Sequence, residues 1–296
     1  MQSVKITVPA TSANLGPGFD SLGIALSLYT TFEFSLSENG LVIEGCPEEY
    51  ANENNLAVTA FRGIFYRAGK RAPSVHLKVA SDIPATRGMG SSSAFLTGGV
   101  LAANTFLNNL YSKEELLQIL TTFEGHPDNV TPALYGGLTA SATHGGIPYT
   151  AKFPINPAVK FCALIPGFEL STSASRMAIP ASVSHKDAAY NLSRVALLIK
   201  AFETADEKLF EVAMQDRLHQ PYREHMIDDY KTIRLNAMAA GAAGMYLSGA
   251  GPTLMCVYMD DGFPTRVEKL IAGLRNNWQV MPLDIDNTGA RVEEIE

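Results

Sequence analysis

Pro84-Ala85-Thr86-Arg87-Gly88-Met89-Gly90-Ser91-Ser92-Ser93-Ala94 sets two glycines and three serines directly before a run of small apolar residues. Upstream, Val75-His76-Leu77-Lys78-Val79 alternates apolar and polar, the period of a half-buried strand. Downstream, residues 92–110 read as a mostly apolar, buried helix. The order is therefore strand, glycine–serine loop, helix. The first N–H groups of a helix lack intrahelical partners and lie at the positive end of its dipole, which suits a phosphate. Glycine lets the backbone approach an anion closely at positive φ, and serine hydroxyls add donors that can also reach a metal. No Gly-Lys-Ser/Thr follows, so this is not a Walker A loop, and the third glycine of a dinucleotide fingerprint is missing. By itself the stretch reads equally as a phosphate loop or a tight strand-to-helix connection.

Working outward, residues 3–8 and 27–36 read as strands, with Tyr29, Phe32 and Phe34 supplying β-propensity. Residues 55–68 form an amphipathic helix closed by Gly69. Gly98-Gly99 inside the long helix costs about 1 kcal/mol per residue relative to Ala, which predicts close packing on another backbone. Ser112-Lys113-Glu114-Glu115 is a capping box opening a helix to about Thr122. Thr131-Pro132 opens a short helix with proline at its first position. Gly136-Gly137 and Gly145-Gly146 punctuate a hairpin, and Pro154 and Pro157 mark a lobe boundary between 1–153 and 154–296. Beyond it come a strand (159–165), helices (188–202, 207–214, 229–240), strands (244–248, 253–258), a helix (264–275) and a last strand (278–283). Strands and helices interleave without regular alternation, so the fold class is α+β in two lobes.

The chain's 296 residues allow a substantial core, and 46% hydrophobic with 18% charged residues is an ordinary globular composition. A net charge of −7 offers no footprint for nucleic acid, so any phosphate site must be built locally. No apolar run reaches the length of a membrane span, and Met1–Lys5 lacks the basic and apolar regions of a signal peptide. Cys46, Cys162 and Cys256 are widely spaced and read as reduced, buried thiols, so a cytoplasmic location is expected. The six histidines show no zinc-type spacing.

Three segments together resemble the signature of the GHMP kinases. They are Pro9-Ala10-Thr11-Ser12-Ala13-Asn14-Leu15-Gly16-Pro17-Gly18-Phe19-Asp20, the glycine–serine loop, and Leu247-Ser248-Gly249-Ala250-Gly251-Pro252-Thr253. Their spread makes the resemblance cover essentially the whole chain. Glu124-Gly125-His126-Pro127-Asp128-Asn129-Val130, Ser171-Thr172-Ser173-Ala174-Ser175-Arg176 and Asp216…Pro221-Tyr222-Arg223 narrow it to the branch that phosphorylates L-homoserine. The resemblance implies the two-lobe GHMP kinase fold: an N-terminal lobe resembling a domain of a ribosomal protein and an elongation factor, and a ferredoxin-like C-terminal lobe. It also implies ATP and Mg²⁺, γ-phosphoryl transfer to the homoserine hydroxyl in threonine biosynthesis, and no nucleic-acid or membrane partner. An isologous homodimer is the expected assembly.

Residue by residue, the resemblance implies that Pro84, Ala85, Thr86, Arg87, Gly88, Met89, Gly90, Ser91, Ser92, Ser93 and Ala94 cradle the triphosphate, and that Asn54 faces the purine. Ser92 and Glu124 match the Mg²⁺ ligands, although relatives carry a longer insert between this glutamate and His126. Asp20 suits the substrate ammonium, and Arg176 and Arg223 suit its carboxylate, bidentately. Asn14, His126 and Thr172 match positions that contact the substrate or shape its pocket. Asn129 stands where some relatives carry a basic aspartate, so catalysis is expected to fall to positioning by Asn14, Asp20, Asn129 and Arg176, without a general base. The glycine turn at 248–253 reads as architectural support. A kinase of another small alcohol in this family and an ATP-binding sensor are the alternatives.

Overall fold

Two long strands carry the first lobe of the computed structural model, which describes residues 3–295. β1 (Ser3–Ala13) and β2 (Leu22–Leu36) pair antiparallel from Ser3↔Ser35 to Ala13↔Gly23, with a register shift between Pro9 and Ala10. Proline has no N–H for a ladder, so an irregularity there is where the strand tolerates it. β3 (Val42–Glu44), α1 (Leu56–Arg67), β4 (Val75–Ser81), α2 (Ser91–Phe106), α3 (Lys113–Glu124) and α4 (Pro127–Tyr135) follow, then the hairpin β5 (Leu138–His144) and β6 (Ile147–Phe153). The core lies between this sheet and α1 and α2, where Phe34 stacks on Phe61 with centroids 5.3 Å apart. The close packing expected at Gly98-Gly99 is present: a Cβ on Gly99 would meet the Ala57 carbonyl oxygen at 2.0 Å, and one on Gly98 the Phe32 ring at 2.5 Å.

The capping box forms, Ser112 Oγ accepting from Glu115 N–H at 3.2 Å and Glu115 Oε2 from Ser112 N–H at 2.8 Å. α4 starts at Pro127, earlier than the Thr131 start read from the sequence. His126 is extended (φ −152°, ψ 150°) and Pro127 takes the tolerated first position, so Pro132 falls inside the helix.

β7 (Lys160–Ile165) opens the second lobe, followed by α5 (Thr172–Met177), α6 (His185–Thr204), α7 (Glu207–Ala213), α8 (Gln220–Arg223), α9 (Tyr230–Ala239), β8 (Gly244–Leu247), β9 (Leu254–Tyr258), α10 (Phe263–Ile271), β10 (Gln279–Leu283) and β11 (Arg291–Ile295). Its antiparallel sheet runs β10-β7-β9-β8, the ferredoxin-like arrangement. The strand at 278–283 is not the last. β11 returns to the first sheet and pairs with β1 from Ser3↔Ile295 to Thr7↔Arg291. Asp286 directs this return, accepting from the N–H groups of Thr288 (2.8 Å) and Gly289 (2.7 Å), from Tyr29 Oη (2.9 Å) and from Arg291 Nη2 (2.5 Å). β11 is short and charged, as an edge strand is, so it gives little hydrophobic signal. Among the described residues no helix is long and apolar enough to cross a membrane.

Candidate active site

The N-terminus of α2 opens on a cavity of about 770 Å³ walled by both lobes. Gly90 (φ +72°) caps α2 with no side-chain donor or acceptor, and the first intrahelical bond is Ala94 N–H to Gly90 C=O at 2.9 Å. The N–H groups of Ser91, Ser92 and Ser93 are thus left for a ligand, at the positive end of the helix. Ala85, Thr86, Arg87, Gly88, Gly90, Ser91 and Ser92 line the cavity, whereas Pro84, Met89, Ser93 and Ala94 form the wall behind it. Met89 is buried and its carbonyl accepts from Thr11 N–H at 3.1 Å.

The loop is held by contact too close for side chains. A Cβ on Gly90 would lie 1.9 Å from Thr11 Oγ1, and one on Gly88 2.4 Å from the Ser248 carbonyl oxygen. Gly90→Ala should therefore cost about 2 kcal/mol or more and raise KM for ATP about tenfold. Urea denaturation with ATP kinetics measures both, and an unchanged midpoint would refute the close packing. The turn at 248–253 supplies the support expected of it. Ser248 Oγ donates to Gly88 C=O at 2.6 Å, and Thr253 N–H to Arg87 C=O at 3.3 Å. It also goes further, because Gly249 and Ala250 face the cavity.

Ser92 and Glu124 meet beside the loop. Glu124 Oε1 accepts from Ser92 Oγ at 2.9 Å and from Ser93 Oγ at 2.8 Å, so the short spacing before His126 still delivers the carboxylate to the helix start. Asn54 is exposed at the other end of the cavity. Its neighbour Asn55 is the N-cap of α1, accepting from Ala57 N–H at 3.0 Å and donating to Tyr50 C=O at 2.9 Å. Tyr50, Leu56, Val79, Ile83 and Phe95 give this end an apolar wall.

The remaining candidates converge on the opposite end. Asp20 and Arg176 form a bidentate pair at 2.9 and 3.2 Å. Asp20 has φ +52° and its N–H donates to Asn14 Oδ1 at 3.0 Å, while Asn14 Nδ2 donates to Gly249 C=O at 2.8 Å. Arg223 is buried. Its Nε donates to Ser175 C=O at 3.2 Å, and its Nη1 bonds Gly249 C=O at 3.1 Å and His219 Nδ1 at 3.2 Å. Only Nη2 is left without a protein partner among the described residues, so Arg223 has one end to offer and not the bidentate face expected of it. Burial and the nearby Arg176 bring its pKa down to about 10. Thr172 sits at the rim, exposed, at the start of α5. Asn129 Oδ1 accepts from Thr11 Oγ1 at 2.8 Å.

The GHMP kinases N terminal domain model matches residues 55–137, and the GHMP kinases C terminal model matches residues 198–278. The chain belongs to the GHMP kinase family. A homoserine kinase of Clostridium botulinum (strain ATCC 19397 / Type A) is 41% identical over 295 residues, covering 99% of each chain. One from Clostridium beijerinckii is 39% identical over 294 residues, covering 98% of this chain and 99% of its own. The crystal structure of a Cytophaga hutchinsonii homoserine kinase superposes with a TM-score of 0.87 at 25% identity, over 99% of this chain and 98% of that one.

Several side chains that shape the site of this GHMP kinase were not singled out in its sequence. Asp128 is 2% exposed and holds His126 Nδ1 at 2.5 Å. Burial alone would lower the His126 pKa, but the hydrogen bond and charge of Asp128 outweigh it and leave the imidazole above its ordinary value. Phe19 lies under the guanidiniums of Arg176 and Arg223 and stacks on His219 at 5.2 Å. Asp216 accepts from the N–H groups of Leu218, His219 and Gln220 and from Asn191 Nδ2. The Asp216-to-Arg223 motif was visible, but its internal hydrogen bonds exist only once the turn closes.

His219 fixes Arg223. Its Nε2 can only donate to Gly16 C=O (2.8 Å) and its Nδ1 can only accept from Arg223, so the ring is the neutral Nε2–H tautomer. Burial lowers its pKa. The unfolded chain therefore takes up a proton that the folded chain refuses, and stability falls as pH drops below about 6.5. Glutamine offers the same donor and acceptor, so His219→Gln should flatten that acid-side loss and keep stability at pH 7.5 within about 1 kcal/mol. His219→Leu should cost about 2 kcal/mol at pH 7.5. Urea denaturation of the three chains at pH 5.5 and 7.5 checks both, and an unchanged acid-side slope in the glutamine variant would refute the neutral tautomer.

Proposed function

We propose that the chain transfers the γ-phosphoryl group of ATP to the hydroxyl of L-homoserine, giving O-phospho-L-homoserine and ADP. The observation that carries this is one cavity holding an uncapped helix N-terminus at its middle and Asp20, Arg176 and the free edge of Arg223 at one end. An amino acid bears the charges to replace the internal Asp20–Arg176 pair: its ammonium takes Asp20, and its carboxylate takes Arg176 and Arg223 Nη2. Mevalonate and sugars lack the ammonium, so Asp20 would stay paired with Arg176.

Ser92 and Glu124 fit a Mg²⁺ ion, being two hard oxygens within 2.9 Å of each other beside the phosphate-binding N–H groups. When bound, the ion neutralises charge between the phosphates. Ser93 holds Glu124 from the buried side. Asn14 and Asn129 face the reacting end, and neither can take a proton. The hydroxyl proton leaves late, to a phosphate oxygen or to solvent, as a dissociative transition state permits. Rate comes from positioning and charge neutralisation.

ADP release with Mg·ATP tests the reading against L-homoserine, L-serine, L-threonine, mevalonate and galactose. L-Homoserine should exceed each of the others in kcat/KM by about a hundredfold or more. Faster turnover of mevalonate or galactose would overturn it, and ATP binding without turnover of any would favour a sensor.

A further inference from the structure

Thr11 joins the phosphate loop to the acceptor end of the cavity. It lies near the end of β1, fully buried, and its N–H donates to Met89 C=O of the loop at 3.1 Å. Gly90 leaves room for its hydroxyl, since a Cβ there would come within 1.9 Å of Oγ1. That Oγ1 donates to Asn129 Oδ1 at 2.8 Å. Asn129 is half-buried in the first turn of α4 and lines the cavity. Its Nδ2 lies 3.5 Å from Oδ1 of the buried Asp128. Both neighbours select the same orientation of the amide. Turned over, Asn129 would set its oxygen against a carboxylate oxygen and would take away the acceptor of the Thr11 hydroxyl. A primary amide has one acceptor oxygen and two N–H donors. Thr11 occupies the oxygen and Asp128 faces one N–H. The second Nδ2 hydrogen is the group left without a protein partner among the described residues.

We propose that Thr11 is a positioning residue for the phosphoryl transfer proposed above: its hydroxyl fixes Asn129 as a hydrogen-bond donor to the cavity. A donor there meets one lone pair of the acceptor hydroxyl and turns the hydroxyl proton away from Asn129. The other lone pair attacks. The new O–P bond to the γ-phosphorus forms as the bond from that phosphorus to the ADP oxygen breaks, and the hydroxyl proton passes to a phosphate oxygen or to solvent. Thr11 N–H meanwhile holds Met89 in the loop, so one buried residue sets the phosphates and Asn129 in a common frame. Transfer is sensitive to that alignment, because positioning supplies much of the rate.

Steady-state kinetics with ATP and L-homoserine test the role. Thr11→Val keeps the shape and removes the donor, so kcat should fall about thirtyfold with KM for ATP within about twofold. Thr11→Ser restores the hydroxyl and should recover kcat to within about threefold. On an Asn129→Ala background, Thr11→Val should lower kcat no further, since the two residues act as a unit. Asn129→Asp keeps an acceptor for Thr11 and loses the donor, so it should lose at least as much kcat as Asn129→Ala; it carries the test if Thr11→Val fails to fold. Full kcat in Asn129→Asp, additive losses in the double variant, or a Thr11→Val effect confined to KM for ATP each overturn the proposal, the last leaving Thr11 as a brace for the phosphate loop. Nuclear magnetic resonance of the isotope-labelled full chain gives a readout without turnover. The side-chain amide signals that vanish in Asn129→Ala should shift in Thr11→Val and return in Thr11→Ser, and signals indifferent to Thr11→Val overturn the link. Failure of the unaltered chain to phosphorylate L-homoserine would sink the proposed reaction, while these signals still decide whether Thr11 holds Asn129.

Discussion

Arg223→Ala is expected to lower kcat/KM for L-homoserine about a thousandfold, equivalent to about 4 kcal/mol, with KM for ATP little changed. The side chain is 1% exposed and spends Nε and Nη1 on Ser175, Gly249 and His219, so its removal deletes the free Nη2 and orphans three buried acceptors. Each orphan costs about 1–3 kcal/mol, so Tm should fall by several degrees as well. Arg223→Lys should recover little, because one ammonium on a flexible stem cannot serve Ser175, Gly249 and a ligand from one rigid plane. Steady-state kinetics with both substrates and a thermal melt are sufficient. A loss confined to KM for ATP would show that Arg223 does not belong to the acceptor side.

Glu124→Gln is expected to lower kcat about a hundredfold to a thousandfold at saturating ATP, leaving stability within about 0.5 kcal/mol. Glutamine keeps an oxygen for Ser92 and Ser93, which approach Glu124 Oε1 at 2.9 and 2.8 Å, and loses only the charge that would hold the cation. The concentration of Mg²⁺ needed for half-maximal rate should rise in parallel. Full activity with unchanged Mg²⁺ dependence would remove Glu124 from the metal site and leave it as a brace for the helix start. Ser92→Ala should show a weaker form of the same behaviour, since a neutral hydroxyl contributes less to a divalent ion than a carboxylate does.

Local chemistry made much of the fold legible. The capping box at Ser112 acts within one turn, so its residue types announce it, and the glycine pair at 98–99 announces a close approach without naming its partners, Ala57 and Phe32. The strand, loop and helix around Gly88 and Gly90 were legible for the same reason. Other features were hidden. Pro132 reads as a helix start by its type, but the extended His126 places the start at Pro127. β11 carries no apolar pattern, and only Asp286 gathering four donors turns it back onto β1.

Sequence by itself determined which chemical groups are available: helix-start N–H donors, serine hydroxyls and a glutamate, and an aspartate with two arginines. Which of their atoms are free was decided by tertiary structure. Asp20 and Arg176 lie 156 positions apart and neutralise each other, and Arg223 has all but one edge committed to backbone and to His219. Residue type sets how many hydrogen bonds a side chain can make, but only packing sets how many are already made, and the remainder is what a ligand meets.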